Sequence, residues 1–402
     1  MKGWLKLAAL SAACGAAPSL HAPLTVRPGI EVLLSDSIQL VRGKGVGLLS
    51  NLAGVDARGV SDVDRLLQSG TRLLALFSPE HGFRGEAAPG APVASTRDSA
   101  TGLPIYSLYG ESREPTDAML SGIAVLLVDL PDVGARYFTY LSKTIDVMRA
   151  AARHRIPVVL LDRPNPIGGA VQGNVLDTVF RSAVGILPMP MRPGMTLGEL
   201  ARLANADLQL GAELHVIPAA GWRREQTLLE TGLPFVPPSP NLKQPESLFH
   251  YPGTCLFEAT ALSVGRGSDA PFSQIGAPWL DPDRVIGALP PLPGVRFRPV
   301  RFTPAKPGDD KYPGREVRGI RLELTDPARY DPTAVAVTLL SVIHGLYPDS
   351  LGVHPARFDR LAGDSSLRLS ILAGTPPATI VAGWAPARDG WQRHREFALL
   401  YR

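Results

Sequence analysis

Four short, unbroken apolar runs constrain the first half of this chain: residues 46–50 (VGLLS), 73–77 (LLALF), 125–129 (VLLVD) and 158–161 (VVLL). None alternates apolar with polar residues. Strands that read this way are covered on both faces, as in a parallel sheet flanked by helices. Helical periodicity lies between them over 61–69 and over 141–154, where Ile145, Val147 and Met148 are the buried candidates. This order predicts an α/β fold with a doubly wound parallel sheet. Polar groups follow each run: Asn51 after the first, Ser78-Pro79-Glu80-His81-Gly82 after the second, 130–136 (LPDVGAR) after the third, and Asp162-Arg163-Pro164-Asn165-Pro166 after the fourth. Open parallel sheets bind ligands beyond the carboxyl ends of their strands, so the four ends point to one site.

The remaining chain is richer in turns. Gly 40 and Pro 39 in 402 residues favour a loop-rich α/β protein over a helical bundle. The region 180–250 is Pro-rich, with one clear helix start at Thr196, where Glu199 three residues on makes a capping box. Residues 234–245 (PFVPPSPNLKQP) read as a rigid loop at a cleft wall. From 251 onward, strand-like runs at 295–302 and 317–325 and a helix over 332–347 predict a second, smaller α/β domain. The expected division is 1–22 as a signal peptide, 23–250 as the catalytic domain and 251–402 as the domain closing the cleft. Lys2 and Lys6, a short apolar stretch and small residues ending near Ala22 form a secretory pattern, too short to span a membrane. Lipidation of Cys14 is the alternative to simple cleavage. No later run is long enough for a membrane span, so a secreted or periplasmic protein is expected. Cys255 then has no disulfide partner and reads as a small buried hydrophobe.

Several functions are excluded. The net charge of +4 is small and dispersed, which argues against nucleic acid. Gly43-Lys44-Gly45-Val46-Gly47 precedes a strand, whereas a dinucleotide fingerprint follows one. There is no P-loop, no H-x-x-x-H pair and no G-x-S-x-G elbow. What remains is carboxylates beside arginines and aromatics. Pro79 and Gly82 set a sharp turn around Glu80, which partial burial would turn into a proton donor; an ion pair with Arg84 or His81 is the plainer reading. Asp132 and Arg136 share a turn with Tyr137, Phe138 and Tyr140, either as a site or as a cap beside an aromatic core. Asp162, Arg163 and Asn165 form either a binding loop or a loop staple. Glu258, read as part of an apolar strand, precedes Arg266 and forms either a site or a buried ion pair. Arg136, Arg163, Arg192 and Arg266 suit a carboxylate ligand. With the aromatics they suggest an acidic sugar, although a phosphorylated or amino-acid ligand fits the same pattern.

Longer motifs go further. They are 78–85 (SPEHGFRG), 132–140 (DVGARYFTY), 161–166 (LDRPNP), 194–200 (GMTLGEL), 237–241 (PPSPN), 251–258 (YPGTCLFE), 265–267 (GRG) and 276–279 (GAPW). Together, in order along the chain, they resemble the exo-β-N-acetylmuramidase family. The resemblance implies a Rossmann-like N-terminal domain, a smaller C-terminal domain and an active site in the cleft between them. It implies release of β-linked N-acetylmuramic acid from the non-reducing ends of peptidoglycan-derived muropeptides or disaccharides, without metal or other cofactor. It makes Glu80 the general acid/base, with His81, Asp132 and Tyr140 beside it. It makes Arg136, Asp162, Arg163, Asn165, Glu258 and Arg266 candidate pocket residues, and Asn51, Arg84, Arg192 and Asn241 join them as the expected substrate-binding set. Arg163 or Arg136 would grip the lactyl carboxylate. The second catalytic group would be the substrate's 2-acetamido group, Tyr140, Asp132 or Glu258. Three departures stand out: Pro193 where the family often has His, Ala259-Thr260-Ala261 in place of Gly-Thr-Asn, and Ser268 in place of Thr or Asn. They motivate an alternative, a muropeptide-binding protein without turnover. An esterase or amidase is a third reading.

Overall fold

The computed structural model describes residues 26–85, 93–110 and 112–402. The secretory segment and Cys14 lie outside the described residues. The strands, in chain order, are β1 (Gly45–Leu49), β2 (Arg72–Ser78), β3 (Thr96–Arg97), β4 (Pro104–Ser107), β5 (Val125–Val128), β6 (Val158–Leu161), β7 (Gln172–Val175), β8 (Pro190–Arg192) and β9 (Leu214–Ile217). Seven of them form a sheet in the order β3-β4-β2-β1-β5-β6-β9, with β7 and β8 as a separate ribbon. All neighbours in the large sheet pair in parallel except β3 with β4. The chain leaves β1 for β2 on one side and reaches β5 on the other. The crevice between the ends of β1 and β5 is therefore the switch point of a doubly wound sheet.

The four apolar runs are β1, β2, β5 and β6. Their side chains alternate between two cores. Leu126, Val128 and Leu160 pack with Met148 on one face. Val125, Leu127, Val159 and Leu161 pack with Ile30, Leu33 and Leu66 on the other. Sequence reading passed over β4 because it is short and opens on a proline, and β9 because polar His215 interrupts it. The glycines of β1 serve close packing. A Cβ on Gly45 would lie 2.3 Å from the Gly122 carbonyl oxygen, and one on Gly47 2.8 Å from Ile123 Cδ1.

Helices α1 (Gly29–Asp36), α2 (Asp62–Gln68), α3 (Tyr140–His154), α4 (Leu197–Asp207) and α5 (Leu228–Thr231) belong to this half. Ser61 Oγ accepts the Asp64 N–H at 3.1 Å and starts α2. Helix α3 stops where Arg155 turns left-handed at φ 54°. The expected capping box of α4 forms: Thr196 Oγ1 accepts the Glu199 N–H at 3.2 Å, and Glu199 Oε2 accepts the Thr196 N–H at 3.1 Å.

Helix α6 (Pro245–Thr254) leads into the second part and runs through residue 250. There follow β10 (Gln274–Ala277), helix α7 (Pro282–Ala288), β11 (Val295–Phe302), β12 (Val317–Leu324) and helix α8 (Pro332–Leu346). The three strands make an antiparallel sheet, β10-β12-β11. Asp331 caps α8 by accepting the Thr333 and Ala334 N–H groups at 2.9 and 3.0 Å. Short helices α9 to α12 complete the chain between Pro355 and Arg395. One expectation is corrected here. Glu258 does not sit in a strand but in a 3₁₀ turn, Cys255–Ala259. Pro245 starts a helix whose αR backbone continues through Cys255, so the apolar Cys-Leu-Phe run is helical. One hydrophobic core extends from β5 and α3 into α6 and α8, joining the two parts.

Candidate active site

Glu80 follows β2 and reaches the start of α3. Its Oε2 accepts the Thr139 hydroxyl at 3.1 Å. The Tyr109 hydroxyl, from the segment after β4, also bonds to Glu80; burial first, and then the Glu80 charge, raise the Tyr109 pKa. His81 adopts a left-handed φ of 72° and its Nε2 lies 3.1 Å from Ser239 Oγ. Glu80 and His81 line a cavity of about 140 Å³. Its walls are aromatic: Tyr137, Phe138, Tyr140, Tyr251 and Phe272. These rings pack edge to face, with centroids 4.4 Å apart for Phe138 and Tyr140, and 4.8 Å for Tyr251 and Phe272. Phe272 also has a left-handed φ, 64°. Two non-glycine residues in a costly backbone region thus line one small cavity, a feature that clusters at functional sites. Arg266 supplies its cation. The guanidinium is 2.6 Å from Glu258 Oε1 and stacks 5.0 Å from the Phe272 ring centroid. Among the described lining residues, Glu80 is the only carboxylate.

A larger cavity, about 590 Å³, meets the first at Glu80 and Thr139. Lys143 on its wall donates to the Arg113 carbonyl at 2.6 Å and to Asp146 at 3.1 Å.

The structure divides the expected site residues. Glu80, His81, Tyr140 and Arg266 come together on the aromatic cavity. Asp132 and Arg163 line a separate apolar cavity of about 70 Å³, walled by Pro234, Phe235 and Pro238 of the Pro-rich loop. Burial pushes Asp132 up to about 7, against the Gly134 N–H that donates to it at 2.8 Å. Arg163 is turned into the protein, where it donates to Asp129 Oδ2 and the Val55 carbonyl, each at 2.8 Å. Burial and then the neighbouring Asp129 raise the Asp62 pKa, while Arg163 lowers it. Asn51 and Arg84 line a further hollow near Asp62 and Asp98. Arg84 pairs with Asp98, not with Glu80.

Other expectations are corrected. Arg136 does not line the aromatic cavity. It is 2% exposed, and its guanidinium donates to the carbonyls of Asn174, Met189, Leu361 and Ala362 at 2.7–3.1 Å. Those bonds hold the two parts of the chain together. Asp162 is fully buried and accepts from Thr196 Oγ1, Gly198 N and the Tyr401 hydroxyl at 2.6, 2.9 and 2.7 Å. Burial lifts it to about 6, and it anchors α4 and the C-terminal residues. Asn165 is a loop staple, donating to the Met195 carbonyl at 2.8 Å and accepting the Ile167 N–H at 3.1 Å. Arg192 is buried and bonds Gln172 Oε1 at 2.8 Å and the Ile167 carbonyl, away from Glu80. Tyr140 lines the cavity with its ring, but its hydroxyl is committed. It donates to the Pro238 carbonyl at 2.7 Å and lies 2.5 Å from the Asn51 amide nitrogen. Burial, then Glu80 and Asp132, raise its pKa and keep it neutral. Glu258 faces Arg266 rather than the cavity, and Asn241 is buried beside Ser239.

Sequence reading missed Tyr109, Thr139 and Phe272 as site residues. Tyr109 follows an unrecognised strand, and an aromatic after a strand end was the available signal. Nothing in the sequence announces a left-handed Phe272. The departures lie off the cavity. The Pro193 carbonyl accepts from Trp391 Nε1 at 3.1 Å and Arg395 Nη1 at 2.8 Å. Ala261 bonds Leu351 and Tyr312 through its backbone. Ser268 donates to the Gly265 carbonyl and accepts from Gln274, fixing its own loop.

A carboxyl group at the rim of an aromatic-walled pocket, beyond the strand ends of a doubly wound sheet, can hold a sugar ring and protonate its glycosidic oxygen. Comparison with known proteins narrows the class. Residues 46–246 match the family model for the N-terminal part of exo-beta-N-acetylmuramidase NamZ, and residues 249–401 match that for its C-terminal part. The curated peptidoglycan beta-N-acetylmuramidase NamZ of Bacillus subtilis is 39% identical over 381 residues, covering 94% of this chain and 91% of that one. Two crystal structures of DUF1343 family proteins from Bacteroides fragilis superpose with TM-scores of 0.86 and 0.78, at 33% and 32% identity; each comparison covers 94% of this chain and 99% of the other. The chain belongs to the exo-β-N-acetylmuramidase family, and so to the glycoside hydrolases.

Proposed function

We propose that this protein hydrolyses the terminal β-linked N-acetylmuramic acid from peptidoglycan fragments. The observation that carries the reading is the position of Glu80, where a small aromatic cavity meets a larger one. The small aromatic cavity holds the terminal sugar, and its size limits it to one ring, which makes the action exo. Glu80 gives its proton to the glycosidic oxygen as the C1–O bond breaks. No second described carboxylate lines this cavity, which favours the substrate's own 2-acetamido oxygen as the group that bonds C1. Water then attacks C1, Glu80 takes its proton, and the acetamido group is released. Thr139 and Tyr109 orient the Glu80 carboxyl, and the Asn51–Tyr140–Pro238 chain fixes the wall beside it. Arg266 is the cation placed for the lactyl carboxylate, because it lines the aromatic cavity and Arg163 and Arg136 do not.

The secretory pattern of residues 1–22 supports action outside the cytoplasm, in the periplasm or medium, with the Cys14 lipid anchor as a variant of the same placement. Pro193 and Ala261 lie away from the cavity, which weighs against the binding-protein reading. Mass spectrometry of peptidoglycan fragments after incubation tests the activity. Free N-acetylmuramic acid and a chain shortened from its non-reducing end are expected. Tight binding with no product would overturn the reading.

A further inference from the structure

The larger cavity is strongly cationic. Arg113, Lys143, Arg149 and Arg181 line it, against Glu80 and Asp146. Asp146 is already shared between Lys143 at 3.1 Å and Arg149 at 3.4 Å. Arg113, Arg149 and Arg181 are exposed at its rim, whereas most residues walling the aromatic cavity are buried. The larger cavity therefore carries exposed guanidinium groups at its rim, and the smaller one is walled mainly by buried aromatic side chains. With Glu80 between them, the hydrolysed sugar occupies the smaller, and the departing chain leaves through the larger.

We propose that this basic cavity is a leaving-group site for carboxylate-bearing saccharides. It gives the enzyme a preference for fragments that carry a negative charge beyond the bond cleaved. The inference rests on the glycosidase reading and specifies its substrates. A peptidoglycan strand offers such a carboxylate from two sources: the lactyl group of the next muramic acid along the chain, or an attached stem peptide. Guanidinium groups at a solvated rim suit either one, and their attraction is screened by salt.

The test compares kcat/KM of the wild type and of Arg149→Gln/Arg181→Gln on three substrates. These are a chromogenic β-glycoside of N-acetylmuramic acid with an uncharged leaving group, a peptide-free tetrasaccharide, and a peptide-bearing fragment. The ratio of charged to chromogenic substrate is expected to fall roughly tenfold in the variant, through KM, and high salt should produce the same fall in the wild type. A fall with the tetrasaccharide assigns the lactyl carboxylate; a fall confined to the peptide-bearing fragment assigns the peptide. A ratio unchanged for both charged substrates overturns the inference and leaves the glycosidase reading standing. A wild type inert on the chromogenic glycoside overturns both.

Discussion

The Thr139 hydroxyl donates to Glu80 Oε2 at 3.1 Å across 59 residues of sequence. This bond ties the carboxyl group that ends β2 to the first turn region of α3, so the sheet and the helix together aim it into the aromatic cavity. A proton donor positioned by two rigid elements keeps its geometry when a sugar binds. Thr139→Val keeps the side-chain shape and removes the bond. It should lower kcat about tenfold, since misorientation of a catalytic group costs up to roughly 10²-fold. Steady-state kinetics on a chromogenic muramic acid glycoside measures this, and an unchanged kcat would remove Thr139 from the positioning of Glu80.

Tyr140→Phe separates wall from nucleophile. The ring stays, while the Pro238 carbonyl and the Asn51 amide lose a shared partner. Stability should drop by about 1–3 kcal/mol, the cost of orphaned buried polar groups. Activity should fall less than tenfold, on the order of a lost second-layer contact rather than a lost reacting group. Urea unfolding and kcat/KM give the two readouts. A loss beyond about 10³-fold would instead make the Tyr140 oxygen a reacting atom.

Arg136→Met should damage the fold. Four backbone carbonyls from both parts of the chain would lose their donor inside the protein. The expected loss is at least about 1–3 kcal/mol, the cost of a buried acceptor left without its donor. A folded variant of normal stability with impaired substrate affinity would restore Arg136 to the binding set.

Asp132 carries a pH signature. Burial lifts it to about 7 in the folded protein, above the roughly 3.9 of an unfolded aspartate. Between these values the native state holds more protons than the unfolded chain, so stability falls as pH rises through that window. In Asp132→Asn this contribution disappears, while the parallel one from Asp162, lifted to about 6, remains. Urea midpoints measured from about pH 4 to 8 should therefore decline less steeply in the variant, because one of the raised carboxyls no longer titrates there. Parallel curves would show that Asp132 ionises normally.

The sheet was legible because a doubly covered strand leaves an unbroken apolar run; β1, β2, β5 and β6 all carry that mark. Edge strand β3, of two exposed residues, leaves none. The placement of Glu80 and His81 on the cavity was legible, because Pro79 and Gly82 fix the turn. Placement was not legible at Arg136, Asp162 and Arg192. A loop arginine reads the same whether its guanidinium meets a ligand or four carbonyls, and only the packing of Asn174, Met189 and Leu361 around Arg136 decides which. Glu258 was misplaced because an apolar run after a helix looks like a strand.

The most direct measurement uses the purified protein with chromogenic β-glycosides of N-acetylmuramic acid and N-acetylglucosamine, beside Glu80→Gln. The expected result is release from the muramic acid compound alone, with kcat lowered about 10²–10⁴-fold by the substitution, the range set by loss of a general acid. Equal release from both glycosides, or full activity in Glu80→Gln, would contradict the assignment of Glu80 at the mouth of a muramic acid pocket.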